Sequence, residues 1–179
     1  SGERTHTATG AGPAIGAWLL SDAVKDGARL PGRMERARFD HVAAEGMQSR
    51  PVPVLLDGAH VPFNIEAVMR DVVHSQQFIG PCVAVVALGS DKDAAGFMTV
   101  LSHYAAAIIC TESPGLAKGQ TAETLLALAT ASGARSEAFS DAQVALEHAA
   151  ELALQMNGWV LVTGSLYLVG ALRRNVSLI

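Results

Sequence analysis

From residue 34 onward, apolar residues recur along this chain in two alternating rhythms. Met34–His41, Val52–Leu56, Cys82–Leu88, Ala106–Cys110, Arg135–Phe139 and Trp159–Val162 are short strand-like runs. Between them, Ile65, Val68, Met69, Val72 and Val73 fall on one helix face, as do Ala145, Ala149, Leu152 and Met156. Leu125, Leu128 and Ala129 form a shorter set of the same kind. Strands alternating with helices predict βαβ units, hence an α/β fold with a mostly parallel sheet of about six strands. The run Cys82–Leu88 has no polar alternation, the pattern of a strand covered by helices on both faces. Ser140 followed by Gln143 predicts a capping box opening the 145–156 helix. Ser90-Asp91-Lys92-Asp93 reads as a charged helix start, and another helix is expected near Leu166.

The remaining segments are mostly polar, except that Ile15, Trp18, Leu19 and Val24 give Ala14–Ala28 a short apolar pattern. Asp40–Pro51 is expected to form a hairpin-like loop, and Ala14–Ala28 a helix leading into a turn at Leu30-Pro31-Gly32. Residues 1–13 carry Gly and Thr without an apolar core and are expected to be a flexible segment, leaving 14–179 as one domain. A chain of 179 residues, half of them hydrophobic, can bury a core without staples. The net charge of −4, without a basic stripe, argues against nucleic acid as a partner. No apolar stretch reaches the roughly 20 residues that span a bilayer, so no membrane partner is expected. Cys82 and Cys110 both lie in apolar runs, which suits two buried thiols better than a disulfide framework.

Chemistry concentrates at three places. Asp57-Gly58-Ala59-His60 follows the apolar run Val52-Pro53-Val54-Leu55-Leu56, placing a carboxylate and an imidazole where a strand emerges into a loop. Open α/β sheets bind ligands at the carboxyl ends of their strands. Asp57 could accept bonds from a ligand there, or could cap the helix that begins near Pro62. Leu30-Pro31-Gly32-Arg33 lies upstream, where a lone Arg33 after a Pro-Gly turn reads by itself as a solvated charge. Thr163-Gly164-Ser165 ends the last strand, where backbone N–H groups can hold an anion and Ser165 can cap the next helix. Tyr167 and its apolar neighbours read as core. Gly10-Ala11-Gly12 follows no strand and is read as linker.

Together these three segments resemble the C-terminal domain of folylpolyglutamate synthase/dihydrofolate synthase, a branch of the Mur ligase superfamily. The resemblance covers roughly residues 14–175 and implies the three-layer, Rossmann-like domain of that family. It makes Arg33, Asp57 and His60 contacts to ATP, with Arg33 reaching across a domain cleft to the phosphates. Lys92 and Asp93 match a Lys-Asp pair after the buried strand, which, with Ser165, would serve the incoming glutamate. The family commonly carries Asn-Pro after Asp-x-Ala-His; here Val61 replaces the asparagine while Pro62 is kept. The separation of Arg33 from Asp57 exceeds the family's usual one, and the excess fits within Asp40–Pro51.

The implied activity is ligation of glutamate to folate, or dihydrofolate synthesis, through an acyl phosphate, with ATP and Mg²⁺ as cofactors. The phosphate-cradling Gly-x-x-Gly-Lys-[Ser/Thr] loop of the family's N-terminal ATPase domain is not found in this sequence. The chain is therefore expected to be a C-terminal domain that is inactive alone, partnered by that ATPase domain and by folate and glutamate. Its expected location is the cytoplasm, or the mitochondrion in a eukaryote. Two rivals remain: a Mur-type ligase of another substrate, and a free-standing Rossmann-like binding module. The second predicts Arg33, Asp57 and His60 scattered over the surface.

Overall fold

The computed structural model describes residues 31–41, 50–75 and 78–179. The expected helix at Ala14–Ala28, the flexible segment 1–13 and the tip of the Asp40–Pro51 loop lie outside them. The described chain runs β1 (Glu35–His41), β2 (Arg50–Leu56), α1 (Pro62–His74), β3 (Cys82–Val86), α2 (Ala94–Ser102), β4 (Ala105–Thr111), α3 (Ala122–Ala131), β5 (Ser136–Phe139), α4 (Ala142–Gln155), β6 (Trp159–Thr163), α5 (Leu166–Leu172), a 3₁₀ turn (Arg173–Asn175) and β7 (Ser177–Leu178).

The strands form one sheet in the order β5-β4-β3-β6-β2-β1-β7. β2 through β6 are mutually parallel, and β1 runs antiparallel to both β2 and β7. The two-residue β7 is a seventh strand that the hydrophobic pattern does not announce, being too short to carry a period. Asp40, Arg50 and Pro51, expected in a loop, belong to the hairpin arms: Asp40 pairs with Pro51 and His41 with Arg50. Pro51 and Pro53 are tolerated in β2 because β6 pairs with it only from Val54 onward. A proline lacks the N–H that a second neighbour would need.

Side chains alternate along each strand into two cores. Val83 and Val85 join α4 and α5 on one face. Ala84 and Val86 join α1, α2 and α3 on the other. The result is the three-layer arrangement expected, with β3 and β6 buried at every position. Cys82 and Cys110 are buried and free, and loss of solvation pushes the Cys110 thiol up to about 12.

Helix starts follow local polar chemistry. Asp93 accepts the Gly96 N–H at α2, and Thr121 that of Thr124 at α3. At α4 the cap is Asp141, bonded to the N–H groups of Gln143 and Val144, and not the expected Ser140. A charged acceptor suits the positive end of a helix, and Gln143 turns forward to Glu147 instead of back. α1 starts at Val61 without a side-chain cap, its first turn set by Pro62, so Asp57 does not cap it. Among the described residues, no helix is long and apolar enough to cross a membrane.

Candidate functional site

β6 lies between β2 and β3, yet its following helix packs on the opposite face from theirs. Adjacent helices leaving a sheet in opposite directions open a crevice at the carboxyl ends of the strands. Such a crevice, about 310 Å³, is present here, lined among others by His60, Asp91, Lys92, Leu116, Ser165 and Tyr167. Arg33 and Asp57 form a corner beside it, because β1 begins where β2 ends: Glu35 pairs with Leu56. The structure therefore brings Arg33, Asp57, His60 and Ser165 to one edge of the sheet.

The corner is built around Asp57, only 2% exposed. Its Oδ1 accepts the Ala59 N–H at 2.8 Å and its Oδ2 the Met34 N–H at 2.9 Å. The Gly58 N–H donates to the Gly32 carbonyl at 2.8 Å. A Cβ on Gly58 would collide with Leu166, so the β2 loop, the Pro31–Met34 turn and α5 pack closely. The Arg33 guanidinium stays 43% exposed, with Nη1 4.0 Å from Asp57 Oδ1. That separation is too long for a hydrogen bond, so the Arg33 fork is not tied down by Asp57, whose charge lies close beneath it. His60 Nδ1 lies 2.9 Å from the Gly58 carbonyl. A carbonyl only accepts, so Nδ1 carries a proton, and in the neutral ring Nε2 is left as an acceptor.

The opposite wall is looser. Lys92 Nζ donates to Asp91 Oδ2 at 2.8 Å in an exposed pair. That bond, and to a lesser extent the nearby His60, holds the Asp91 carboxyl below its usual range. Asp93 is spent as the cap of α2 and is not among the lining residues. Ser165 accepts the Tyr167 N–H at 3.1 Å, so it is an N-cap, and its Oγ also lies 3.2 Å from Ser113 Oγ. The Gly164 N–H is already taken by the Ala59 carbonyl, which leaves fewer N–H groups for an anion than the sequence suggests. Tyr167 is corrected from core to rim: it is 57% exposed beside Leu166, and only Leu168, Val169 and Leu172 turn inward. A seven-residue helix packed on one face of the sheet buries one side of its period and shows the other.

Among the described residues, no cluster of three or more His, Cys, Asp and Glu could hold a metal ion. Asp57, the one deeply buried carboxylate of the corner, already spends an oxygen on each of two backbone donors.

The model of the family described as "Mur ligase, glutamate ligase domain" matches residues 32–166. The chain belongs to this family. The match begins at the Arg33 turn and ends on the first residue of α5, so it brackets the crevice. Among solved structures, a Mycobacterium tuberculosis folylpolyglutamate synthase complexed with ADP and AMPPCP shares 25% identity with this domain at a TM-score of 0.69. The alignment covers 86% of this chain and 34% of that one. E. coli FolC in complex with DHPP and ADP is 26% identical at a TM-score of 0.61, over 86% of this chain and 33% of its own. A Yersinia pestis bifunctional folylpolyglutamate synthase/dihydrofolate synthase complexed with AMPPNP and Mn ion is 27% identical at 0.60, over 87% of this chain and 34% of its own. The Mur ligase domain thus spans about a third of the length of these relatives. No match was found among curated protein sequences.

Sequence reasoning did not reach Ser113, Leu116 or the rim position of Tyr167. Asp91 was visible in its motif, yet nothing in the pattern marks it as a lining residue. Ser113 and Leu116 follow β4, and only the sheet order brings them beside Ser165.

Proposed function

We propose that this domain supplies one wall of the active site of an ATP-dependent ligase that adds glutamate to folate. The observation that carries the reading is the exposed Arg33 fork on a fixed turn beside the switch-point crevice. The solved relatives at 25–27% identity, complexed with nucleotides, support it. In this scheme an N-terminal ATPase domain of the same protein binds ATP and faces the crevice.

The folate carboxylate attacks the γ-phosphoryl group, giving an acyl phosphate and ADP. The neutral amine of glutamate then attacks the acyl carbon, and the tetrahedral intermediate expels phosphate to leave an amide. Arg33 meets the phosphate oxygens bidentately and offsets the charge that shifts during transfer. Asp57 contributes chiefly by holding the turn, and His60 offers Nε2 to a nucleotide hydroxyl. Lys92, with Ser165 beneath it, attracts a glutamate carboxylate; Asp93 belongs to this group only through the helix it caps. Mg²⁺ would reach the site with ATP, where it would offset phosphate charge; the described residues form no cage of their own for it. The reaction is placed in the cytoplasm, or in the mitochondrion of a eukaryote.

The convergence of Arg33, Asp57 and His60 on one edge disfavours a free-standing binding module, for which they would scatter. A Mur-type ligase of another substrate shares the crevice; Leu-Pro-Gly-Arg and Gly-Ser-Leu-Tyr favour the folate branch. The test is ADP release by the full-length protein with ATP, folate and glutamate, against an uncharged amino-acid acceptor of another Mur reaction. Arg33→Ala should lower folate-dependent turnover by at least about 100-fold, in the range of an arginine that stabilises phosphoryl transfer. Turnover independent of folate would overturn the assignment. The chain alone, given the same substrates, should form no product at enzyme-like rates.

A further inference from the structure

Arg33 sits between two residues in the left-handed region, Gly32 at φ +74° and Met34 at φ +47°. Glycine takes that conformation freely, but methionine rarely does. Such backbone persists only when its surroundings over-determine it. Two carboxylates do so here. Asp57 takes the Met34 N–H, and Glu35 Oε2 takes the Gly32 N–H at 3.2 Å.

Glu35 is itself gripped from far along the chain. Arg173 donates from Nε to Oε2 at 2.9 Å and from Nη2 to Oε1 at 2.8 Å. This fork fixes the plane of a side chain that would otherwise turn freely, and aims Oε2 at the Gly32 N–H. Arg173 directly follows α5, whose first residues line the crevice. The Gly32 turn also packs on α5, since a Cβ there would meet Val169 at 3.0 Å and Leu166 at 3.2 Å.

We propose that Glu35 and Arg173 are positioning residues for Arg33: their ion-paired fork holds the Gly32–Met34 turn so that the guanidinium is presented at the crevice. The proposal rests on the nucleotide role given to Arg33 above. The fork also couples that arginine to α5, so the Arg33 turn and the Ser165–Tyr167 rim are set as one piece. A pair that merely reinforces the sheet edge would stabilise β1 without acting through Arg33.

Two readouts separate these cases. Amide hydrogen exchange by NMR is compared at Gly32, Met34 and, as a core reference, Leu161. Arg173→Met should speed exchange at Gly32, and less at Met34, by roughly 10-fold, as expected on losing a charge-assisted fork, with Leu161 unchanged. Arg173→Lys, which keeps the charge but not the fork, should fall between and serves if the Met variant does not fold. In the full-length ligase, Arg173→Met should lower kcat/KM for ATP roughly 10-fold when Arg33 is present and less than about 2-fold in an Arg33→Ala background, since residues acting through one another are not additive. Unchanged exchange at Gly32, or equal losses in both backgrounds, would overturn the proposal. Faster exchange at Gly32 with ATP kinetics indifferent to Arg33→Ala would keep the clamp and remove the nucleotide role instead.

Discussion

On the β2 side of the crevice, a 2%-exposed carboxylate accepts two backbone N–H groups from separate segments. On the β3 side, an acid–base pair of adjacent residues stands in solvent, its Asp91 side chain 73% exposed. Both walls carry an aspartate next to a cation, and the two aspartates do opposite work. Asp57 spends each oxygen on a backbone N–H and so sets geometry, while the Arg33 guanidinium beside it stays without a hydrogen bond to it. Asp91 bonds only its neighbour Lys92 and its own backbone N–H, so this exposed pair is held by no distant segment. The difference pairs a rigid corner with a compliant one, which the proposed ligase would use to place Arg33 accurately while Lys92 follows its substrate.

The comparison breaks most sharply at Asp57. Asp57→Ala strands two donors in a buried site and should cost about 3 kcal/mol of stability, read from urea unfolding. A loss below about 1 kcal/mol would mean the corner is not rigid. Gly164→Ala comes next, at about 2 kcal/mol, because φ +94° is strained for alanine and the new Cβ would run into the Ala87 carbonyl. The same unfolding assay checks it.

Acid should weaken the rigid corner selectively. The Arg173 fork holds the Glu35 carboxyl below its ordinary value of 4.5, and the Gly32 N–H lowers it further against the opposing effect of burial. A carboxyl with a depressed folded value adds stability that is complete above its unfolded value and fades as pH falls through the folded one. The contribution should therefore be whole at neutral pH and fade below 4.5, and Glu35→Gln should flatten that part of the stability–pH curve. An identical acid slope in the variant would remove Glu35 from the account. Smallest of all, Lys92→Gln should shift stability by less than about 0.5 kcal/mol, as an exposed pair does, while raising the glutamate KM. A larger loss of stability would show that the open wall is structural after all.

The outline of this domain is written in local pattern, since burial on both faces leaves continuous apolar runs such as Cys82–Leu88. Asp57, His60 and Ser165 were likewise legible as residues that follow strands, whereas Arg33 precedes β1 and was reached only through its Leu-Pro-Gly-Arg motif. What escaped depends on distance along the chain. Glu35 and Arg173 are 138 positions apart, and neither stands out from its neighbours. Ser140 and Asp141 are both good caps, and the choice between them turns on one residue of helix phase. Tyr167 looks like core because its neighbours are, and only the short helix at the rim shows which way it faces.

The placement of β6 has a consequence for how the molecule comes into being. This strand follows β5 along the chain, yet it fills the gap between β2 and β3. Until residues 159–163 arrive, β2 and β3 each wait with an unpaired edge of apolar residues. The β2–β6 pairs lie 106 positions apart and the β3–β6 pairs 77; such distant contacts form slowly, and open edges in the interval invite pairing with other chains. During synthesis the β2 and β3 parts of the sheet should thus stay unjoined until residues 159–163 are available, and their edges should need cover until then.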